Sequence, residues 1–236
     1  MSRLSRIVAV ALIALTPVTA AFAGAVGDFE SSLRRAYADY RAALFFTNAG
    51  NGDKAAASVT AFKDQWAVLT DGAASPPQYA DDAAYAATAA EVSALADKAA
   101  AEIAAGQLAE AHETLEGVRE EIAALHERNG VISFSDRMNA YHARMEEILM
   151  SDHGALDAAA LGQLREEAAV LVYLAGDIAR HPPAEAGEAD FAPLLAAMET
   201  SATALLEAAR AGDAAATASA LKALKPAYSK FFLKFG

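Results

Sequence analysis

Cysteine is absent from all 236 residues, which removes disulfides, thiolate metal ligands, cysteine nucleophiles and thioether-attached haem in one step. Positive charge is also scarce. Lys and Arg number 19 against 31 Asp and Glu, and the net charge of −12 opposes the phosphate contacts that dominate nucleic-acid binding. No Gly-rich phosphate loop, His-Glu-x-x-His signature or nucleophile-elbow serine is present, so the reading is of a binding protein and not an enzyme. What the chain has instead is alanine, at 65 residues, within a composition that is 55% hydrophobic. Alanine favours helix and β-branched residues are thin, so the expected class is all-α.

At the N-terminus Arg3 and Arg6 precede the apolar run Ile7 to Leu15, which closes at Thr16-Pro17. Ala21-Phe22-Ala23 then offers small residues at the two positions a signal peptidase reads. Residues 1–23 are therefore expected to be a cleaved signal peptide, and the protein to be periplasmic. The run is too short for a membrane anchor, which needs about 20 apolar residues. No later segment is long enough either, so no membrane span is expected in the mature chain. Cleavage would leave 213 of the 236 residues and take the charge from −12 to −14.

The remainder repeats itself. Pro76-Pro77 is followed by Gly106, and Pro182-Pro183 by Gly212, all at an offset of 106. Under that offset Tyr85 falls on Phe191, Val92 on Met198, Val118 on Leu224 and Ile122 on Tyr228, apolar upon apolar. This predicts a duplication. Apolar spacing of three and four, with Gly and Pro as stops, predicts helices near 28–47, 53–70, 81–105 and 108–128. The second half predicts them near 135–150, 156–180, 188–211 and 213–232. Two tandem up-and-down four-helix bundles follow, residues 24–130 and 131–236, with Asn129-Gly130 between them. In the first helix Phe29, Leu33, Ala36/Tyr37, Tyr40 and Leu44 form the apolar stripe, with Arg34, Arg35 and Arg41 off it.

Pro76-Pro77, the helix to Ala105, Gly106-Gln-Leu-Ala-Glu-Ala and a helix ending in Leu125-His126 resemble the periplasmic four-helix-bundle cytochromes, b-type and c-prime. The resemblance implies a bundle fold with haem held by a histidine near the end of the fourth helix, the position of His126. The opposing methionine of that family has no equivalent, since Phe29-Glu-Ser-Ser-Leu33 offers only Leu33, and Phe232 stands where the second half would need its histidine. Ala227-Tyr-Ser-Lys-Phe231 replaces the Cys-x-x-Cys-His of the c-type members, so covalent haem is excluded. Non-covalent haem electron transfer stays as one alternative, and a metal-free interaction module of the cell envelope, with an envelope protein as partner, as another.

The densest chemistry lies in Met138, His142 and Met145, four and three residues apart and so on neighbouring positions of one helix. Thioether with imidazole suits copper, Cu(I) above all, and also haem iron, while methionine at helical spacing is more often core filling. Glu146 stands four residues beyond His142, and Glu116 four beyond His112. Such pairs suit iron or zinc, and equally a surface ion pair, which is the expectation for His112. A bend at Asn129-Gly130 is expected to bring His126 toward Met138 and His142. The expected ligands of a copper or iron ion are thus His142, Met138, Met145, Glu146 and His126, in a carrier, buffer or uptake-accessory role. His153 and His181 read as loop or cap residues. Tyr228, Phe231, Phe232 and Phe235 read as the close of a bundle core, with Lys230 and Lys234 outward.

Overall fold

The computed structural model describes residues 18–71 and 75–236, with side chains from Gly24 onward. Residues 1–17, which carry most of the expected signal peptide, lie outside the described residues. Among the described residues eight helices follow one another: α1 Val18–Asn48, α2 Gly52–Thr70, α3 Tyr85–Ala104, α4 Leu108–Arg128, α5 Phe134–Met150, α6 Ala158–Arg180, α7 Phe191–Ala211 and α8 Ala214–Phe235. The protein is all-α, with no strand among the described residues. No helix among them is long and apolar enough to cross a membrane.

Local chemistry sets the helix ends. The side chains of Asn51, Asp157 and Asp213 each accept a main-chain N–H in the first turn of α2, α6 and α8. Ser133 and Asp136 close α5 with a reciprocal capping box. Each Pro-Pro pair leads into a short 3-10 turn, Pro77–Tyr79 or Ala184–Gly187, and so α3 starts at Tyr85 instead of Asp81 and α7 at Phe191 instead of Glu188. Gly212 ends α7 in the left-handed region at φ 70°, and Gly106 takes the same conformation after α3 at φ 77°.

In each half the four helices pack in sequence, and the fourth returns to the first: α1, α2, α3 and α4, then α5, α6, α7 and α8. The buried hydrophobic residues fall accordingly into two large clusters. One is drawn from Leu33 through Ile122, centred on Tyr40, Phe62 and Leu115. The other runs from Phe134 to Phe235 and includes Met138, Met145, Leu164 and Phe231. A small third group, Tyr79, Tyr85 and Leu125, closes the end of the first half. Tyr228, Phe231, Phe232 and Phe235 are all buried, as expected for core aromatics.

Between the halves α1 packs on α8. Off the apolar stripe of α1, Arg41 is buried and Arg34 half-buried, both turned toward the second half. Arg34 pairs with Glu185 at 2.7 Å and donates to the Phe235 carbonyl at 3.2 Å. Arg41, buried, donates to the main-chain carbonyls of Lys234 and Gly236. Cations thus meet the negative end of the α8 dipole. Burial pushes the Arg41 guanidinium down to about 10, with the nearby Arg34 charge adding to the effect.

Candidate functional site

Of the residues expected as ligands, His126, His142, Met145 and Glu146 line cavities along the seam between the halves, where side chains of α4 and α5 meet. Side chains bridge these two helices at two heights. The His126 Nδ1 stands 2.8 Å from Asp136, and the Arg119 guanidinium stands 3.3 Å from His142 Nδ1. Two cavities open along the same seam.

The upper cavity, about 530 Å³, is bounded by α1, the end of α4, the link to α5 and the Pro182-Pro183 turn, and His126 lines it. The His126 ring is 3% exposed and lies parallel to the Tyr79 ring. Asp136 can only accept, so Nδ1 carries the proton, while Nε2 is buried with no hydrogen-bond partner among the described residues. Asp136 meanwhile accepts the Ser133 N–H at 2.7 Å, so one carboxylate caps α5 and orients the histidine. Around this cavity Arg34 pairs with Glu185 and Arg137 with Asp177, while Glu30 accepts from Gln78 and Tyr79.

The lower cavity, about 320 Å³, is bounded by the end of α1 and by α4, α5 and α8. His112, Glu116 and Arg119 enter it from α4, His142, Met145 and Glu146 from α5, and Lys225 and Tyr228 from α8. Each histidine stands over its own glutamate, His112 Nε2 at 3.7 Å from Glu116 and His142 Nε2 at 3.7 Å from Glu146. Arg119 also reaches Glu116 at 3.3 Å, and Lys225 reaches Glu146 at 3.1 Å. The His142 ring packs on Tyr228 with centroids 5.2 Å apart. Burial holds His142 down at about 3, and the charges of Arg119 and Lys225 push the same way, so its ring is neutral at pH 7. With Arg119 donating to Nδ1, the proton of that neutral ring sits on Nε2, toward Glu146.

The predicted ligand set is therefore divided. His142, Met145 and Glu146 line the lower cavity, His126 the upper one, and Met138 neither. Asp136, opposite His126, and His142 are six residues apart on α5, about 9 Å along its axis, too far for His126 and His142 to bind one ion. At about 100° per residue, His142 is turned roughly 40° and Glu146 roughly 80° from Met138. That turn separates them: Met138 and Met145 are fully buried in the second core, while His142 stands on its shoulder facing α4. His112 lies in the seam cavity and not on an open surface, with Nδ1 3.1 Å from the Leu44 carbonyl.

His153 and His181 do meet helix-end carbonyls, those of Ile148 and Asp177. Of the two positions matching the cytochrome ligands of the first half, Leu33 belongs to the apolar core and His126 to the seam; Phe232 lies in the second core. Among the described residues no group of three or more His, Asp or Glu side chains stands close enough together to hold an ion. Arg119, Lys225 and Asp136 were not singled out by sequence. Ser133-x-x-Asp136 is a capping-box spacing and could have flagged the last of them. Arg119, seven residues after His112, shares its face of α4, but nothing local ties it to a partner 23 residues away.

No known protein family, curated protein or solved structure matches the chain.

Proposed function

We propose that this is an exported, periplasmic, non-enzymatic binding protein for a transition-metal ion, in a carrier or buffer role, with its site in the lower seam cavity. One observation carries the reading: two His-Glu pairs at i,i+4, one on α4 of the first half and one on α5 of the second, line the same cavity. A single helix face encloses a metal poorly, and donors from two elements supply the enclosure that imidazole and carboxylate ligands need. The ligands would come from His112, Glu116, His142 and Glu146, whose side chains must move together to meet one ion, since no three of them stand close enough as they lie. Met138 and Met145, buried in the apolar core, and His126, in the other cavity, leave the set.

A second reading, a metal-free interaction module of the envelope, has its own observation. Arg119 and Lys225 already neutralise Glu116 and Glu146, which suffices to explain the cluster as a structural ion-pair network. Elemental analysis of the exported protein after gentle purification, followed by titration against a competing chelator, separates the two. The metal reading requires about one ion per chain and an affinity weakened roughly 10 to 100-fold or more in His142→Ala, with His181→Ala unchanged. Equal affinity in wild type and His142→Ala would discard it.

A further inference from the structure

The upper cavity lies apart from the proposed metal site, and its walls have a consistent chemistry of their own. It measures about 530 Å³ and opens between the halves, where α4 and α5 do not pack closely and meet through side chains. A cleft of this size at the boundary between two packed units is a preferred place for a small-molecule site. Leu33, Ile122, Val131, Phe134 and the rings of Pro182 and Pro183 give it an apolar lining, and Arg34 from α1 and Arg137 from α5 border it. We propose that this cavity binds a small amphipathic monocarboxylate, with its apolar body against that lining and its carboxylate on Arg34 and Arg137. The site does not depend on metal binding in the lower cavity.

Both guanidiniums have donors to spare. An arginine carries five N–H groups in a planar fork that matches a carboxylate. Arg34 spends Nε on Glu185 and Nη2 on the Phe235 carbonyl, and Arg137 spends Nη1 on Asp177, which leaves N–H groups of each without a protein partner among the described residues. The two side chains are 21% and 20% exposed, so a ligand can reach them. The Arg34 guanidinium also stands over the Phe134 ring, 5.4 Å from its centroid, which sets a cation at the edge of the apolar lining. Local charge favours an anion. Asp177 is shared by Arg137, Arg180 and the His181 ring, and Glu185 serves Arg34 with the Arg41 charge close by. Four guanidiniums thus meet two carboxylates here, in a chain whose net charge is −12. The carboxylates of the wall itself are engaged elsewhere, Asp136 by His126 and the Ser133 N–H, and Glu30 by Gln78 and Tyr79.

The mixed wall disfavours two simpler occupants. An inorganic anion would satisfy the arginines but leave the apolar lining wet. A neutral hydrocarbon would cover the lining and take water from two half-buried cations without pairing them. A molecule with an apolar body and one carboxylate avoids both costs, and a charge-assisted pair to arginine is stronger in such a partly dry setting than on open surface.

The test is calorimetric titration of the exported protein with three probes: 2-naphthoate, its neutral amide 2-naphthamide, and acetate. Wild type should bind about one 2-naphthoate per chain, the amide about tenfold more weakly, and acetate not measurably. Arg137→Gln should weaken 2-naphthoate about tenfold or more and leave the amide nearly unchanged, as the loss of one charge-assisted pair requires. Ala184 borders the cavity at an exposed position, so Ala184→Trp should block acid and amide alike in a folded chain. His142→Ala, in the lower cavity, should change neither. The proposal is overturned by any of three results: no saturable 2-naphthoate binding to wild type, equal affinity for acid and amide, or undiminished binding in both Arg137→Gln and Ala184→Trp. Arg34→Gln carries the same expectation as Arg137→Gln and keeps the test open should the latter fail to fold.

Discussion

His126 and Phe232 stand 106 residues apart, at the ends of the fourth helix of each half, and both are buried, yet one is a polar ring held by Asp136 and the other fills an apolar core. The frames around them agree. Helices start at residues 52 and 158, 85 and 191, and 108 and 214, each pair at the same offset. Only the first helices are out of step: Leu33, Tyr37, Tyr40 and Leu44 match Phe134, Met138, Tyr141 and Met145 at an offset of 101. The link 151–157 is longer than the link 49–51, and α5 runs one residue past the end equivalent to Asn48, which together absorb the difference. At that offset Arg41 matches His142. Equivalent positions facing their own core stay apolar, while those facing the other half have been given different polar groups, and the chemistry of the molecule collects there.

The sharpest way to break this comparison is to unfold one half alone. Phe231 is fully buried in the second core, so Phe231→Ala should cost about 3–5 kcal/mol there. The one tryptophan, Trp66, lies in the first core and reports only on it. If the two cores are separate cooperative units, helix loss followed by circular dichroism in denaturant will begin earlier in the variant, while the Trp66 fluorescence transition moves far less. Coincident shifts of both signals would mean that the α1–α8 contact makes one unit of the two.

A smaller effect tests the seam. Free histidine side chains titrate near 6.5, and His142 is held down to about 3 in the folded protein. Between those values the unfolded chain binds the extra proton and the folded one does not, so this group's contribution is complete above about pH 6.5 and is lost as pH falls toward 3. Each pH unit crossed in that window is worth about 1.4 kcal/mol from this group at most. Acidic side chains also titrate there, so the measurement is the difference between wild type and His142→Gln, which cannot titrate but can still accept from Arg119. The variant should lose less stability on acidification from pH 6.5 to 4.5. Parallel curves would show that His142 is not buried in the seam as described.

Much of the helical frame could be read directly from residue order. The α4 boundaries Leu108 and Arg128 coincide with the expected ones because Gly106 and Asn129-Gly130 punctuate a regular apolar stripe. Spacing puts the start of α3 at Asp81, four residues before Tyr85, whereas Asp82 accepts the Ala84 N–H in a turn that spacing alone does not reveal. The candidate site was half legible for a related reason. Periodicity groups residues along one helix, so both His-Glu pairs were visible. It cannot show that α4 and α5 set those pairs around one cavity, nor that Arg119 lies between them. Met138, His142 and Met145 share a spacing that serves a core stripe equally well, and only the neighbouring helices decide which side chains turn inward.

The smallest effect concerns two links at the same offset. Gly50 precedes α2 with φ 72°, and Leu156, 106 residues later, precedes α6 with φ 54°, the one non-glycine residue with positive φ among those described. A left-handed conformation costs an ordinary residue about 1–2 kcal/mol. At Gly50 an added Cβ would meet open space, so Gly50→Ala should lose about 1 kcal/mol through backbone conformation alone. Leu156 packs partly against the second core, and Leu156→Gly exchanges that burial, together with a freer unfolded chain, for relief of the backbone cost. Opposing terms of similar size leave a net loss below about 1 kcal/mol, measurable as a thermal midpoint nearer to wild type than that of Gly50→Ala. A larger loss in Leu156→Gly would mean that its side chain anchors the longer link to the core, and that the second half has compensated a strained turn by packing where the first half uses glycine.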